Sequence, residues 1–393
     1  MNINVNDYKG SDSDRIQAAI EAAGKCGGMV RIPTRRPDAV SPRDYWLLDR
    51  AIILPSDTTL MLENCRVKLS DRCRDNFIRS ANCGEGIATI EPIRNIHIIG
   101  IGNAVLEGAD HPRATGDAAK ILGVQTYGTD SGVEGEKQTS DWRSIGVLLA
   151  YVTDFSIQGL TLKDTHSWGV SLEHCTQGQV TDLAFDAHDG REINGTFETF
   201  LNQDGLDLRQ GCHDITIQNI TGTSGDDLIA LTAIRLDVPA GILDSSMVSG
   251  MTPLGRQDDV HDIIIRNVRG TSVGGHHIVR FLNASGVKMY NILLDGVIHT
   301  SPETVHAVVR IGDSNPTWGG VTPLGDTHSF VLQNIIGHGR AIVLISGSLC
   351  DSLISNVIVQ TPGLEPVTFA SGPENIRNVT VANTLNTSNL HKF

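Results

Sequence analysis

A short motif, apolar residue, any residue, then Asn, Gly or Asp, recurs along the chain at a spacing that leaves few folds open. The copies are LEN at Leu62–Asn64, IIG at Ile98–Gly100, IQG at Ile157–Gly159 and VTD at Val180–Asp182, followed by triplets ending at Asn219, Asn267, Asn291, Asn334, Asn356 and Asn378. The shortest spacings are 22 to 24 residues, the period of one β-solenoid coil, and longer gaps read as that period plus a loop or an extra coil. A strand this short buries its apolar face only against the strands above and below it. The repeat therefore predicts an all-β fold, a single-stranded parallel β-helix of about ten coils, and not a sandwich. The asparagines at the repeated corner read as a ladder of side-chain amides that pairs turn backbone.

Such a stack needs a cover at its open end. The segment DSDRIQAAIEAAGKCGG supplies one: Asp12 or Ser13 is placed to cap a helix whose Ile16, Ala19, Ile20 and Ala23 form one apolar stripe, with Gly27 and Gly28 ending it. The whole chain, 1–393, reads as one elongated domain with a cap over about 1–55. Residues 109–142 and 235–259 break the repeat and are expected to project from it as cleft-forming loops.

Composition excludes several classes. With 41 glycines and 5% aromatic residues the chain is turn-rich, and its net charge of −14 disfavours nucleic acid or an anionic membrane as partner. No apolar run reaches the length of a membrane span, and the start MNINVNDYKG lacks the regions of a signal peptide, which reads as cytoplasmic unless a leader was removed. The seven cysteines form no CxxC pair, so neither a zinc site nor a disulfide framework is implied, and no cofactor motif is present.

The chemistry sits in a second strand that follows each repeat. In order these strands read HSW-GVSLE, NQD-GLDLR, GDD-LIALT, GHH-IVRFL, VHA-VVRIG, GRA-IVLIS and LEP-VTFAS. Their core column holds Val170, Leu206, Ile229, Val279, Val309 and Val343, and the outward column holds Ser171, Asp207, Ala230, Arg280, Arg310 and Leu344. Just ahead of the strands stand Trp168, then Asp204, Asp226 and Asp227, then His276 and His277. Asp204 and Asp227 share an offset, so stacking brings the three carboxylates together. Acids that close cannot all ionise freely, and the resulting split between a protonated acid and an ionised base is what general acid-base hydrolysis needs. Acids, imidazoles and guanidinium groups bounded by a tryptophan make a cleft suited to an oligo- or polysaccharide.

NQD, GDD, GHH and VRI, in this order and at these spacings, resemble the NTD, DD, GHG and RIK motifs of the polygalacturonases, glycoside hydrolase family 28. The N-terminal DSDRIQAAIEAAGKCGG and the IQGLTLKDTHSW ahead of the acids add to the resemblance. It implies a right-handed β-helix and inverting hydrolysis, with Asp226 as general acid and Asp204 and Asp227 activating water. It also implies substrate contacts from His276 and Arg310, to which His277, Arg280 and Trp168 are added by position. An inverting pair is expected to stand about 6.5–9.5 Å apart. The family's lysine in RIK is Gly312 here, which puts uronate recognition in doubt. Two other classes stay open at this point: a polysaccharide lyase in which the carboxylates hold Ca²⁺ and an arginine removes the proton, and a non-catalytic carbohydrate-binding β-helix.

Overall fold

The computed structural model describes residues 2–37, 41–110, 144–233 and 256–387, with breaks at 72, 74, 85–86, 88–89, 166, 189, 194, 200–202 and 284–285. Among these residues one sheet of 16 strands and another of 10 run along the stack, and pairing in both is parallel. Each coil returns to a parallel neighbour in the same sheet, a crossover that L-residues make right-handed. The fold is the right-handed parallel β-helix expected. An antiparallel hairpin, Gly190–Ile193 with Thr196–Thr199, leaves the stack between two coils. Both expected loops lie almost wholly outside the described residues, at 111–143 and 234–255. No described helix is long and apolar enough to cross a membrane.

The register of the ten-stranded sheet follows the core column read from sequence: Val170 pairs Leu206, and Ile229, Val279, Val309 and Val343 continue it, all fully buried. Stacked identical faces leave no room between layers, so β-branched and leucine side chains fill one continuous core from Ile3 to Val359. The outward column is also covered in its first half, where Ser171, Asp207 and Ala230 are buried.

The longer sheet corrects the reading of the repeat, because its strands bend at two corners and not one. Asp182, Asn219, Asn267, Asn334 and Asn356 occupy the first corner, whereas Asn291 and Asn378 fall in the second, beside Asp214, Asp262 and Asp351. All of these residues have φ between 49° and 60°, the left-handed region in which Asn and Asp are the least strained side chains. Their side chains run from coil to coil: Asn267 donates to Asn219 (3.1 Å) and Asn219 to Asp182 (2.8 Å) in one corner, and Asn378 donates to Asp351 (2.8 Å) in the other. The corners are thus ladders, as expected, with carboxylates sharing the acceptor role.

The helix Asp12–Gly24 covers the first coil with Ile16, Ala19, Ile20 and Ala23 buried. Its N-cap is Ser11, one residue before Asp12 and two before Ser13, the two expected, and Ser11 forms a reciprocal capping box with Asp14. Asp12 is instead drawn inside, where it accepts the Leu47 N–H at 3.0 Å and faces Arg35 and Arg43. Six of the seven cysteines are buried free thiols; Cys26 is exposed.

The corner geometry predicts an order of stabilities. Asn267→Gly keeps the left-handed backbone and loses only an amide bond, whereas Asn267→Val adds about 1–2 kcal/mol of backbone strain. Urea denaturation should rank wild type above the glycine variant and the glycine variant above the valine variant.

Candidate active site

The site grows from one repeated contact. Asp204 ends the turn before the strand Leu206–Leu208, and its Oδ1 accepts the N–H of Asp227 one coil up at 3.0 Å. Asp227 repeats the pattern, its Oδ1 accepting the N–H of His277 on the next coil at 3.1 Å. Strand register puts Asp204, Asp227 and His277 in one column and Asp226, His276 and His306 in the column beside it. The three carboxylates meet: one oxygen of each of Asp204, Asp226 and Asp227 lies within 4.8 Å of the others. This is the one such group of potential metal ligands among the described residues.

The expected separation of about 6.5–9.5 Å is therefore not found. Its absence has a simple cause: Asp226 and Asp227 are chain neighbours, and Asp204 and Asp227 are held one strand spacing apart, about 4.8 Å.

The three acids differ in surroundings. Asp226 is the most open, with its side chain 24% exposed and its Oδ1 3.1 Å from Nδ1 of His276, itself 48% exposed. Asp204 is buried, and Asp227 more deeply so. Burial would raise the Asp227 pKa, but the His277 imidazole at 2.6 Å and the Arg280 guanidinium at 3.6 Å outweigh it and hold the carboxyl well below its usual range. His277 is itself pushed down by burial against the pull of Asp227, and His306 by burial and by His277, Arg310 and Arg340, to about 4. Neutral imidazoles suit the observed chain: His277 Nδ1–H donates to Asp227, and His277 Nε2 accepts from His306 Nδ1–H at 3.0 Å.

Beyond His277 the outward column brings Arg280 and Arg310 into register on adjacent coils. Both reach Oδ2 of Asp313, at 3.1 and 2.9 Å, and the Arg280 guanidinium lies 5.3 Å from the ring centre of Trp318, which is partly exposed. Acids, imidazoles and guanidinium groups form one connected surface.

The comparisons with known proteins bear on this surface. The model of glycosyl hydrolases family 28 matches residues 95–241, a span that contains all three acids. The resemblance to family 28 holds. A probable rhamnogalacturonase B of Aspergillus niger is 28% identical over 166 residues, 40% of this chain, and the chain spans only 26% of that relative's length. A polygalacturonase from Erwinia carotovora ssp. carotovora superposes with a TM-score of 0.62 at 16% identity, covering 97% of this chain and 91% of that one. A hyperthermoactive exopolygalacturonase from Thermotoga maritima does so at 0.56 and 14%, covering 98% and 91%. These two likenesses establish the fold.

Against the family 28 pattern, Asp204, Asp226, Asp227, His276, His277, Arg280 and Arg310 are brought together as expected. Trp168 is not. It is 1% exposed, packs among Cys83, Ile145, Leu148 and Ala150, and has the Arg209 guanidinium 4.1 Å from its ring centre. A tryptophan covered on its face by a cation offers no platform to a sugar. Asp207, buried and 3.2 Å from Arg209, belongs to the same covered layer.

Three residues enter that sequence reasoning left aside. His306 shares its offset with His276, so the strand alignment itself pointed to it. Trp318 and Asp313 lie past the end of the strand Ala307–Ile311, where period-two reading stops.

The neutral histidines fix a pH dependence. In the unfolded chain His306 takes a proton near 6.5, while the folded protein resists it until about 4, so the unfolded state binds more protons in that window. Stability should fall as pH drops from 6.5 to 4. His306→Gln should flatten that slope in urea denaturation, leaving the part due to His277, His328 and His299, all of which burial also pushes down, the last to about 4.

Proposed function

We propose that the protein is a glycoside hydrolase that cleaves a pectin-type polysaccharide by general acid-base catalysis. The observation that carries this reading is the carboxylate cluster: three oxygens within 4.8 Å, with Asp227 held ionised and Asp226 facing out. The family 28 match over 95–241 and the relative named for rhamnogalacturonase activity support the substrate class.

Each acid takes a role from its surroundings. Asp226 is the most open of the three, and it is the group that protonates the leaving glycosidic oxygen. His276, at 3.1 Å, orients that carboxyl. Asp227 is committed, since its Oδ1 receives both N–H groups of His277 and its Oδ2 faces Arg280. Asp204 Oδ1 is likewise taken by the Asp227 N–H. Carboxylates pinned in this way are placed to polarise a water held between them, and inversion of the anomeric centre is what the resemblance to family 28 implies; the spacing of the acids is shorter than the usual inverting distance. The neutral His–His contact, His277 with His306, holds the imidazole that keeps Asp227 from rotating.

Asp226→Asn removes the proton donor and keeps the shape. It should lower kcat by about a hundred- to ten-thousand-fold with oligosaccharide affinity nearly unchanged. Asp204→Asn or Asp227→Asn should cost at least about a hundredfold. Proton NMR of fresh product from wild type should show the inverted anomer. Full activity in Asp226→Asn, or a product of retained configuration, contradicts the assignment. Activity lost in chelator together with absorbance from an unsaturated uronate would point to a calcium-dependent lyase on the same three carboxylates.

A further inference from the structure

The two arginines at the end of the site have a counterion inside the protein. Arg280 and Arg310 stand on adjacent coils, where two like charges about 4.8 Å apart repel strongly unless something neutralises them. Asp313 does so: one oxygen, Oδ2, lies 3.1 Å from Arg280 and 2.9 Å from Arg310, while Oδ1 accepts the Asn315 N–H at 2.9 Å. The Asp313 side chain is 4% exposed. Arg280 also faces Asp227 at 3.6 Å. Two guanidinium groups and two carboxylates thus cancel, and the imidazoles of His277 and His306 add no charge at neutral pH.

The backbone secures this arrangement. Gly312 turns the chain with φ +68, and a Cβ there would fall 2.4 Å from the Gly347 Cα. No side chain fits at 312, so no further cation can come from that position. The turn carries Asp313 back to the arginines and fixes its carboxylate between the two guanidinium groups.

We propose that Asp313 takes the place of a uronate carboxylate at this end of the cleft, so that the sugar unit seated beside Arg280, Arg310 and Trp318 is a neutral one. This rests on the hydrolase reading and narrows it: the scissile linkage joins units of which the one at the arginine end carries no charge. The arginines then serve that sugar by hydrogen bonds from their outer N–H groups, and the indole of Trp318 offers it an apolar face.

Binding decides the matter without turnover. D-galacturonate and D-galactose are titrated into the full chain at pH 7 and low salt and followed by calorimetry or protein NMR. Wild type should show no more than about a threefold preference for the uronate. Asp313→Ala leaves Arg310 without its carboxylate and Arg280 with Asp227 alone, and should prefer galacturonate by at least about tenfold, and Asp313→Ala/Arg310→Gln should lose that preference. Asp313→Asn, which retains an acceptor for the Asn315 N–H while removing the charge, should shift the same way if the alanine variant does not fold. A tenfold or greater preference for galacturonate in wild type, or no gained preference in a folded Asp313 variant, overturns the proposal; if neither variant folds, the wild-type ratio alone decides. Failure of the hydrolase reading shows itself separately, as absence of turnover on every pectin-type polymer.

Discussion

In-register stacking of parallel strands is the constraint from which the rest follows. It places residues of equal offset about 4.8 Å apart, and it does so for polar residues as firmly as for the valines and isoleucines of the core. Where the repeated residue is apolar the result is a continuous hydrophobic column. Where it is an acid, the next coil's N–H arrives at the right place to bind it, as Asp204 binds Asp227 and Asp227 binds His277. The carboxylate cluster is thus a piece of the same ladder that builds the fold, and its rigidity comes from hydrogen bonds to backbone N–H groups of the adjacent coil.

The ladder has an electrostatic cost, since like residues repeat as readily as unlike ones. Three carboxylates and two guanidinium groups in neighbouring columns are stable only because they interlock: Asp227 against Arg280 and His277, Arg280 and Arg310 against Asp313. Salt bridges this shielded from water are far more costly to break than to hold, because removing one partner strands the other. The site is therefore best regarded as one ionic unit in which Asp226, with His276 beside it, is the most open of the three acids.

Most of this was legible in the chain because period-two patterning and coil length are local properties. The core column from Val170 to Val343, the stripe of the cap helix and the meeting of Asp204 with Asp227 all follow from spacing alone. Three kinds of feature were not. Corner geometry depends on φ, and Asn219 and Asn291 look alike as letters although they turn different corners. Burial of the outward face depends on what lies over it, so Trp168 and Asp207 read as exposed until the layer above them was in view. Asp313 escaped for a third reason: it sits beyond a glycine turn, where no repeat dictates which way the chain goes.

The facing glycines at 312 and 347 bear on how such a cleft changes its preference over time. Their α-carbons lie so near each other that any side chain added at 312 meets the backbone of 347, and the positive φ at 312 penalises the change a second time. A lysine there is not one substitution away in any practical sense; it requires the neighbouring coil to be rebuilt first. Altering Asp313, by contrast, needs no movement of the main chain. A change at 312 has to move the backbone of the neighbouring coil first, whereas a change at 313 leaves the main chain in place and has to resettle the two arginines that its carboxylate holds.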